Sequence, residues 1–172
     1  PYLEAQLADS ADEIAYDSHD IDDGLRSGLI EEGELEELEI WKRITVYIRK
    51  KYAAISDTPR KRLAIRLLIN QQAEDVLRRT AQNIKKHGIE KFEDIEACGK
   101  RIVSFSPEME ALKKSWKKFL HTRLYHHYRV VRMTEKGERV IRAIFKVYLE
   151  RPEQLPPSVL RRSKKDGIYR AT

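Results

Sequence analysis

Apolar residues recur every three or four positions through most of the chain, which is the spacing of amphipathic α-helices. This pattern predicts helices over residues 2–20, 34–55, 58–86, 107–124 and 134–149. Alternation of apolar and polar residues, which is typical of strands, is not sustained over a useful length. We therefore predict an all-α protein of five or six helices without a significant sheet.

Capping residues indicate where some of these helices begin and end. Thr58 followed by Pro59 predicts a helix start, because a hydroxyl can accept from the first turn and proline needs no N–H there. Gly88 predicts the end of the same helix. Residues 88–106 lack clear periodicity and are predicted to be a loop with short helical pieces, and residues 151–172 carry only a weak pattern.

Composition narrows the class of protein. The chain has 172 residues, and its single cysteine excludes an internal disulfide and a cysteine-based zinc site. No run approaches the roughly 20 apolar residues of a membrane-spanning helix. The first residues are acidic where a signal peptide is basic, so we expect a cytoplasmic protein without a membrane partner.

The net charge of +6 conceals a division of the chain into two parts. Residues 1–40 contain 14 acidic residues and one basic residue, whereas residues 41–172 contain 33 basic and 14 acidic residues. An excess of positive charge this large favours an anionic partner, such as a triphosphate or a nucleic acid.

Three residues with useful chemistry share one face of the first predicted helix. Asp12, Tyr16 and Asp20 follow one another at intervals of four residues, which aligns them over two helical turns. Carboxylate oxygens bind Mg²⁺ and Mn²⁺, and the other side chains can hydrogen-bond a hydroxylated ligand beside the metal. The same spacing is also compatible with a plain solvated acidic face.

Two short matches in the same helix are weaker. His19-Asp20 resembles the His-Asp dyad of metal phosphohydrolases, and residues 20–24 resemble a calcium loop. The calcium interpretation fails on register, because Ile21 would occupy a ligand position.

A basic and aromatic segment lies near the end of the helix predicted over residues 107–124. His121 and His126 are five residues apart and do not share a helical face, so a zinc site is not favoured. The cations around them favour binding of a triphosphate or a nucleic acid, or else form a solvated face. In the nucleic-acid hypothesis Trp41, Trp116 and the segment 125–129 would bind nucleic acid by stacking on bases and by phosphate contacts.

The quoted motifs resemble those of one enzyme family. Residues 4–16, EAQLADSADEIAY, and 19–25, HDIDDGL, closely resemble the bacterial deoxyguanosine triphosphate triphosphohydrolase (dGTPase) family of helical HD-domain phosphohydrolases. Residues 119–127, with the pattern FLxxxLYxH, and 149–152, with LxxP, are also similar to this family. The resemblance extends from residue 2 to about residue 170.

The resemblance implies a reaction and roles for three residues. The family hydrolyses a deoxynucleoside triphosphate to the deoxynucleoside and inorganic triphosphate at a site of one His, a His-Asp pair and a distant Asp. By position, Asp12 corresponds to the distant Asp, which is a metal ligand. Tyr16 corresponds to the residue that packs on the deoxyribose, and Asp20 to the acid that hydrogen-bonds the sugar 3′-hydroxyl.

The resemblance also implies how the chain is organised. Residues 1–30 would contain the last metal-ligand helix of the HD domain, and residues 31–172 a C-terminal helical region. The family's dyad and its other His would precede this sequence, so His19-Asp20 is not that dyad and no catalytic residue is assigned within the chain.

Further expectations about ligands and partners follow from the same resemblance. Lys117, Arg123 and Arg129 are candidates for binding the triphosphate. We expect the C-terminal part of an Mg²⁺- or Mn²⁺-dependent enzyme that is inactive alone and forms homo-oligomers. The alternative is a helical module that binds single-stranded nucleic acid, or one that oligomerises, without catalysis.

Overall fold

A computed structural model describes residues 2–167, apart from the side chains of residues 164 and 166. The described residues form eight α-helices and no strand, which confirms the all-α prediction. The helices are α1 (Leu3–Ser27), α2 (Glu32–Leu35), α3 (Glu39–Lys51), α4 (Asp57–His87), α5 (Phe92–Cys98), α6 (Pro107–Leu120), α7 (Tyr128–Glu150) and α8 (Pro157–Asp166). A π-helical turn, His121–Tyr125, continues α6, and a 3₁₀ turn, Pro152–Gln154, follows α7.

Within residues 2–167, no helix combines the length and the hydrophobicity that crossing a membrane requires. The sequence predicts two segments, residues 1–30 and 31–172. Their outer ends, residue 1 and residues 168–172, lie outside the described part of the chain. The structure divides differently, into one compact unit that ends at Tyr125 and a second that begins at His126. The predicted boundary at residue 30 stays a prediction.

The first unit is built around α1, α3, α4 and α6, which pack on one another. Its core contains both tryptophans, Trp41 and Trp116, which are 1% and 0% exposed. Apolar side chains from each of the four helices surround them: Ile14, Ile21, Ile44, Ile48, Ala64, Leu68, Phe119 and Leu120. Burial of one side of α1 in this core fixes the direction in which its other side chains point.

The end of α1 depends on a close approach between Gly24 and Ile30. The backbone N–H groups of Leu29 and Ile30 both donate to the carbonyl of Gly24 at 3.0 Å. A Cβ atom at residue 24 would lie 2.5 Å from Ile30 Cδ1, so glycine is required here for space. Gly28 ends the helix in the left-handed conformation, at φ 68°.

A buried ammonium group connects three helices of the core. Lys113 Nζ, on α6, donates to Asp17 Oδ2 on α1 at 2.7 Å and to Gln72 Oε1 on α4 at 2.9 Å. It also lies 4.6 Å from the centre of the Phe105 ring. Gln72 Nε2 in turn donates to Ser18 Oγ at 3.4 Å, so a direct hydrogen bond also joins α4 to α1. Lys113 and Asp17 are 3% and 5% exposed, so the carboxylate of Asp17 depends on Lys113 for its neutralisation, while Lys113 Nζ also lies 3.5 Å from Glu13 Oε1.

The second unit contains α7, the 3₁₀ turn and α8. The 3₁₀ turn contacts α7, and Leu155 beside it is buried. No residue of α7 is buried, although the helix is strongly amphipathic.

The helix boundaries differ from the predictions in both units. In the first unit, α1 continues to Ser27, past the predicted end at residue 20, and α3 ends at Lys51, before the predicted end at residue 55. The predicted helix 34–55 is interrupted at residues 36–38, because Leu35 and Leu38 both turn into the core. α4 begins at Asp57, one residue before the predicted Thr58, while Gly88 ends it as predicted, at φ 61°.

The other two differences lie in the second unit. α7 begins six residues earlier than predicted, because His127 Nδ1 accepts a hydrogen bond from the N–H of Arg129 and caps the helix. Residues 157–166, in the weakly patterned tail, form α8 with a proline at its first position.

We expect Lys113→Met to lower the free energy of unfolding by about 3–5 kcal/mol, because it leaves the carboxylate of Asp17 buried without a counter-charge. Urea unfolding at pH 7 measures this change. Lys114→Met removes a neighbouring exposed ammonium and should change stability by less than about 0.5 kcal/mol. Equal unfolding midpoints for the two variants would show that the buried pair does not hold the helices together.

Candidate active site

The exposed side of α1 presents the three residues predicted from the sequence. Ile14 and Ile21 are 7% and 1% exposed and point into the core. Because the helix is anchored by them, Asp12 and Tyr16 project from the surface and Asp20 lies half-buried at the edge. The alignment of these three residues on one face is therefore a feature of the folded chain.

Asp20 is held by a tyrosine that sequence reasoning did not select as a site residue. The hydroxyl of Tyr125 donates to Asp20 Oδ2 in a short hydrogen bond. Burial, the hydrogen bond to Asp20 and the neighbouring Tyr16 together raise the pKa of Tyr125 well above its ordinary value. Tyr125 therefore stays protonated, and its O–H group donates a hydrogen bond to the carboxylate of Asp20.

The π-helical turn brings Tyr125 to α1. Leu120, the residue before the turn, and Leu124 within it are 1% and 8% exposed and anchor the turn in the core. A π-helical turn inserts one residue into the helical repeat and so rotates the residue that follows, a device found often at functional sites. The only sequence signal for Tyr125 is its place in the FLxxxLYxH pattern, because periodicity cannot predict the turn.

Asp12 can accept a metal ion, but only as one ligand. Its carboxylate is exposed, and within residues 2–167 no hydrogen bond or ion pair engages it. The described residues contain no group of three or more His, Cys, Asp or Glu side chains arranged to hold a metal. The exposed carboxylate of Asp12 is chemically suited to act as one ligand of Mg²⁺ or Mn²⁺.

The alternative metal motifs have no support in the fold. Residues 20–24 lie inside α1, and a calcium site requires these residues to form a loop. His19 is exposed and follows Ser18, which is fully buried, so it points away from the core.

Two of the predicted triphosphate-binding residues lie in the first unit, each beside a carboxylate. Lys117 Nζ donates to Glu13 Oε1 at 2.5 Å, and Arg123 Nη1 lies 3.5 Å from Glu34 Oε1. The hydrogen bond to Glu13 raises the pKa of Lys117. Burial opposes ionisation of Glu13, but the hydrogen bond from Lys117 and the charge of Lys113 hold its pKa below the ordinary value.

The third candidate, Arg129, lies on α7 in the second unit. Its Nε donates to the Tyr128 hydroxyl at 3.2 Å, and its guanidinium lies 5.8 Å from the centre of the same ring. Arg129 is thus fixed against its own helix, in the unit that does not contain α1.

The two tryptophans are not available for stacking on nucleic acid. Trp41 and Trp116 lie in the core of the first unit, where no base can reach their rings. The hypothesis that these indoles stack on bases is therefore wrong, because both side chains are packed in the core between four helices.

Comparison with known proteins identifies the family. Residues 103–171 match the phosphohydrolase-associated domain. A deoxyguanosinetriphosphate triphosphohydrolase-like protein of Deinococcus deserti is 37% identical over 98% of this chain, which spans 44% of that relative. Proteins of the same description from Azoarcus sp. and Bordetella pertussis are 36% and 38% identical over 96% of this chain, which spans 44% and 43% of them.

The chain belongs to the family of deoxyguanosinetriphosphate triphosphohydrolase-like proteins. The resemblance predicted from the motifs is thereby confirmed. It spans less than half the length of these curated relatives.

In this family member, the bond between Tyr125 and Asp20 has a consequence for stability at alkaline pH. The pKa of Tyr125 is higher in the folded than in the unfolded chain, where it has its ordinary value of 10. The protonated phenol therefore stabilises the folded state fully below pH 10, and this stabilisation is lost as the pH rises above 10. We expect the free energy of unfolding of the wild type to fall more steeply above pH 10 than that of Tyr125→Phe, by at most about 1.4 kcal/mol per pH unit.

Urea unfolding at a series of pH values measures this difference in slope. Tyr128→Phe, which removes a phenol that is 58% exposed, serves as the control and should follow the wild-type slope. Parallel slopes for the wild type and Tyr125→Phe would contradict the bond to Asp20.

Proposed function

We propose that this chain is the C-terminal segment of a metal-dependent deoxynucleoside triphosphate triphosphohydrolase. The enzyme would convert a deoxynucleoside triphosphate and water to the deoxynucleoside and inorganic triphosphate. The observation that carries the proposal is the exposed face of α1, on which Asp12, Tyr16 and Asp20 are aligned and Asp20 is held by Tyr125. Membership of the family supports the same reaction class.

The sugar would bind at the end of the face that contains Asp20. A carboxylate has about four acceptor positions, so Asp20 can accept from Tyr125 and still accept the 3′-hydroxyl of a deoxyribose. Tyr16 is 61% exposed, which leaves its ring free to pack on the sugar and to occupy the space of a 2′-hydroxyl. Tyr125 acts as a positioning residue because it fixes the carboxylate that contacts the sugar.

The phosphate end would lie toward Asp12. Eight residues of helix separate Asp12 from Asp20, a rise of about 12 Å, so the two carboxylates can contact opposite ends of a nucleotide with its metal. A divalent cation at Asp12 would supply positive charge that polarises the phosphoryl oxygen. We expect the remaining metal ligands to come from residues outside this sequence, so the chain alone should be inactive.

To bind the triphosphate, a basic side chain must exchange the carboxylate that it now contacts for a phosphate group. Lys117 and Arg123 are 52% and 48% exposed in their side chains, and each contacts a glutamate at the surface. Exposed ion pairs of this kind contribute little stability, so exchanging the carboxylate for a phosphate costs little. We propose these two residues, both in the first unit, as triphosphate ligands, while the assignment of Arg129 stays a prediction from the sequence.

Asp12→Asn in the full-length protein that contains this segment tests the proposal. We expect Mg²⁺- or Mn²⁺-dependent release of triphosphate from dGTP to fall at least about a hundredfold, because the amide is a poor replacement for an anionic metal ligand. Asp23→Asn changes an exposed carboxylate further along the same helix and should retain wild-type activity. Full activity of the Asp12→Asn enzyme would rule out the assignment.

A further inference from the structure

One carboxylate oxygen of Glu13 lies between two ammonium groups of α6. Glu13 Oε1 is 2.5 Å from Lys117 Nζ and 3.5 Å from Lys113 Nζ. The first distance is that of a charge-assisted hydrogen bond, and the second is longer than a hydrogen bond. A small rotation of the Glu13 side chain would therefore be enough to exchange one lysine for the other.

The two lysines differ in their surroundings. The side chain of Lys113 is 4% exposed, and that of Lys117, one helical turn later, is 52% exposed. Lys113 is fixed in the core by its hydrogen bonds to Asp17 and Gln72. Lys117 can therefore turn toward a ligand in solvent, whereas Lys113 stays in place.

The ammonium group of Lys113 has a donor to spare for Glu13. It carries three N–H groups, of which two donate to Asp17 Oδ2 at 2.7 Å and to Gln72 Oε1 at 2.9 Å. The third N–H can donate to Glu13 Oε1 once the carboxylate moves closer. The core thus contains a second donor for the carboxylate that now accepts from Lys117.

Lys113 also supplies a counter-charge that remains when Lys117 leaves. Glu13 has a side chain that is only 35% exposed, and a carboxylate in such a position is costly without a neighbouring cation. Burial by itself raises the pKa of Glu13, but the hydrogen bond from Lys117 and the charge of Lys113 hold it below the ordinary value. Glu13 can therefore release Lys117 and stay ionised.

We propose that Glu13 exchanges Lys117 for Lys113 when the triphosphate binds, and that it is a positioning residue for Lys117. The inference rests on the proposed function, in which Lys117 contacts the phosphates near Asp12. In the free protein Glu13 holds the ammonium of Lys117 beside α1, next to the position of Asp12 in the sequence. In the complex Lys117 contacts a phosphate oxygen, and Glu13 accepts from the third N–H of Lys113.

The exchange has two physical consequences. Each charged side chain keeps a partner of opposite charge, so the release of Lys117 leaves no half-buried charge unpaired. The carboxylate of Glu13 competes with the phosphates for Lys117 until it moves, so it lowers the affinity for the triphosphate. Removing the charge of Glu13 should therefore strengthen binding, but only while Lys117 is present.

Isothermal titration calorimetry with inorganic triphosphate tests this competition. The full-length protein that contains this segment is titrated in EDTA, so that no divalent cation contributes to binding. We expect Glu13→Gln to lower the dissociation constant about fivefold, because Lys117 no longer has to leave a carboxylate. Asp9→Asn removes another carboxylate of α1, which lies 3.5 Å from Arg101, and should leave the dissociation constant within about twofold of the wild type.

The same titrations in a Lys117→Met background separate the exchange from a general effect of charge. Lys117→Met should raise the dissociation constant about tenfold, because a charge-assisted hydrogen bond to phosphate is lost. In this background Glu13→Gln should change the dissociation constant by less than about twofold, since no lysine remains to be released. Circular dichroism checks that each variant is folded.

A crystal structure of the full-length protein with inorganic triphosphate measures the exchange itself. We expect Glu13 Oε1 within about 3 Å of Lys113 Nζ, and Lys117 Nζ at hydrogen-bond distance from a phosphate oxygen.

Three outcomes would overturn the inference alone. These are a Glu13→Gln variant that binds triphosphate no more tightly than the wild type, an equal gain in the Lys117→Met background, and a complex in which Lys117 still contacts Glu13. Each of them leaves the proposed reaction intact. A wild-type protein that does not bind triphosphate would instead overturn the role of Lys117 as a triphosphate ligand, and the inference with it.

Discussion

The buried ammonium group of Lys113 is the interaction on which the first unit depends. It neutralises Asp17 on α1, donates a hydrogen bond to Gln72 Oε1 on α4 and lies over the Phe105 ring. Removing a charge from water is costly, and it is tolerated here because the ammonium donates to Asp17 Oδ2 and Gln72 Oε1 and also lies 3.5 Å from Glu13 Oε1. A rotation or slide of α1 by one residue would separate Asp17 from Lys113 and leave both charges buried and unpaired.

This constraint links stability to the candidate site. With Asp17 fixed toward the core, the residues before and after it in the helical repeat take defined directions. Glu13 faces α6 and pairs with Lys117, whereas its neighbour Asp12 points to solvent. In the same way Tyr16 faces solvent and Asp17 faces the core. The helix α1 thus contains two sets of acidic residues, and packing against the core determines which set remains exposed to solvent.

Much of this was accessible from sequence. The periodicity of apolar residues predicts most helices, and the interval of four residues predicts that Asp12, Tyr16 and Asp20 share a face. Lys113 was not predictable as a core residue, because a lysine among other lysines of α6 is indistinguishable from an exposed one. Tyr125 reaches Asp20 across 105 positions of sequence through a π-helical turn, and neither the distance nor the turn leaves a periodic signal.

A crystal structure of the full-length protein with Mn²⁺ and a non-hydrolysable deoxynucleoside triphosphate tests the role of the α1 face most directly. The account predicts an anomalous peak for Mn²⁺ within coordination distance of the Asp12 carboxylate. It also predicts the sugar on the ring of Tyr16, with the 3′-hydroxyl bonded to Asp20 while Tyr125 still donates to the same carboxylate. A metal peak remote from Asp12, or a nucleotide that does not contact α1, would contradict it.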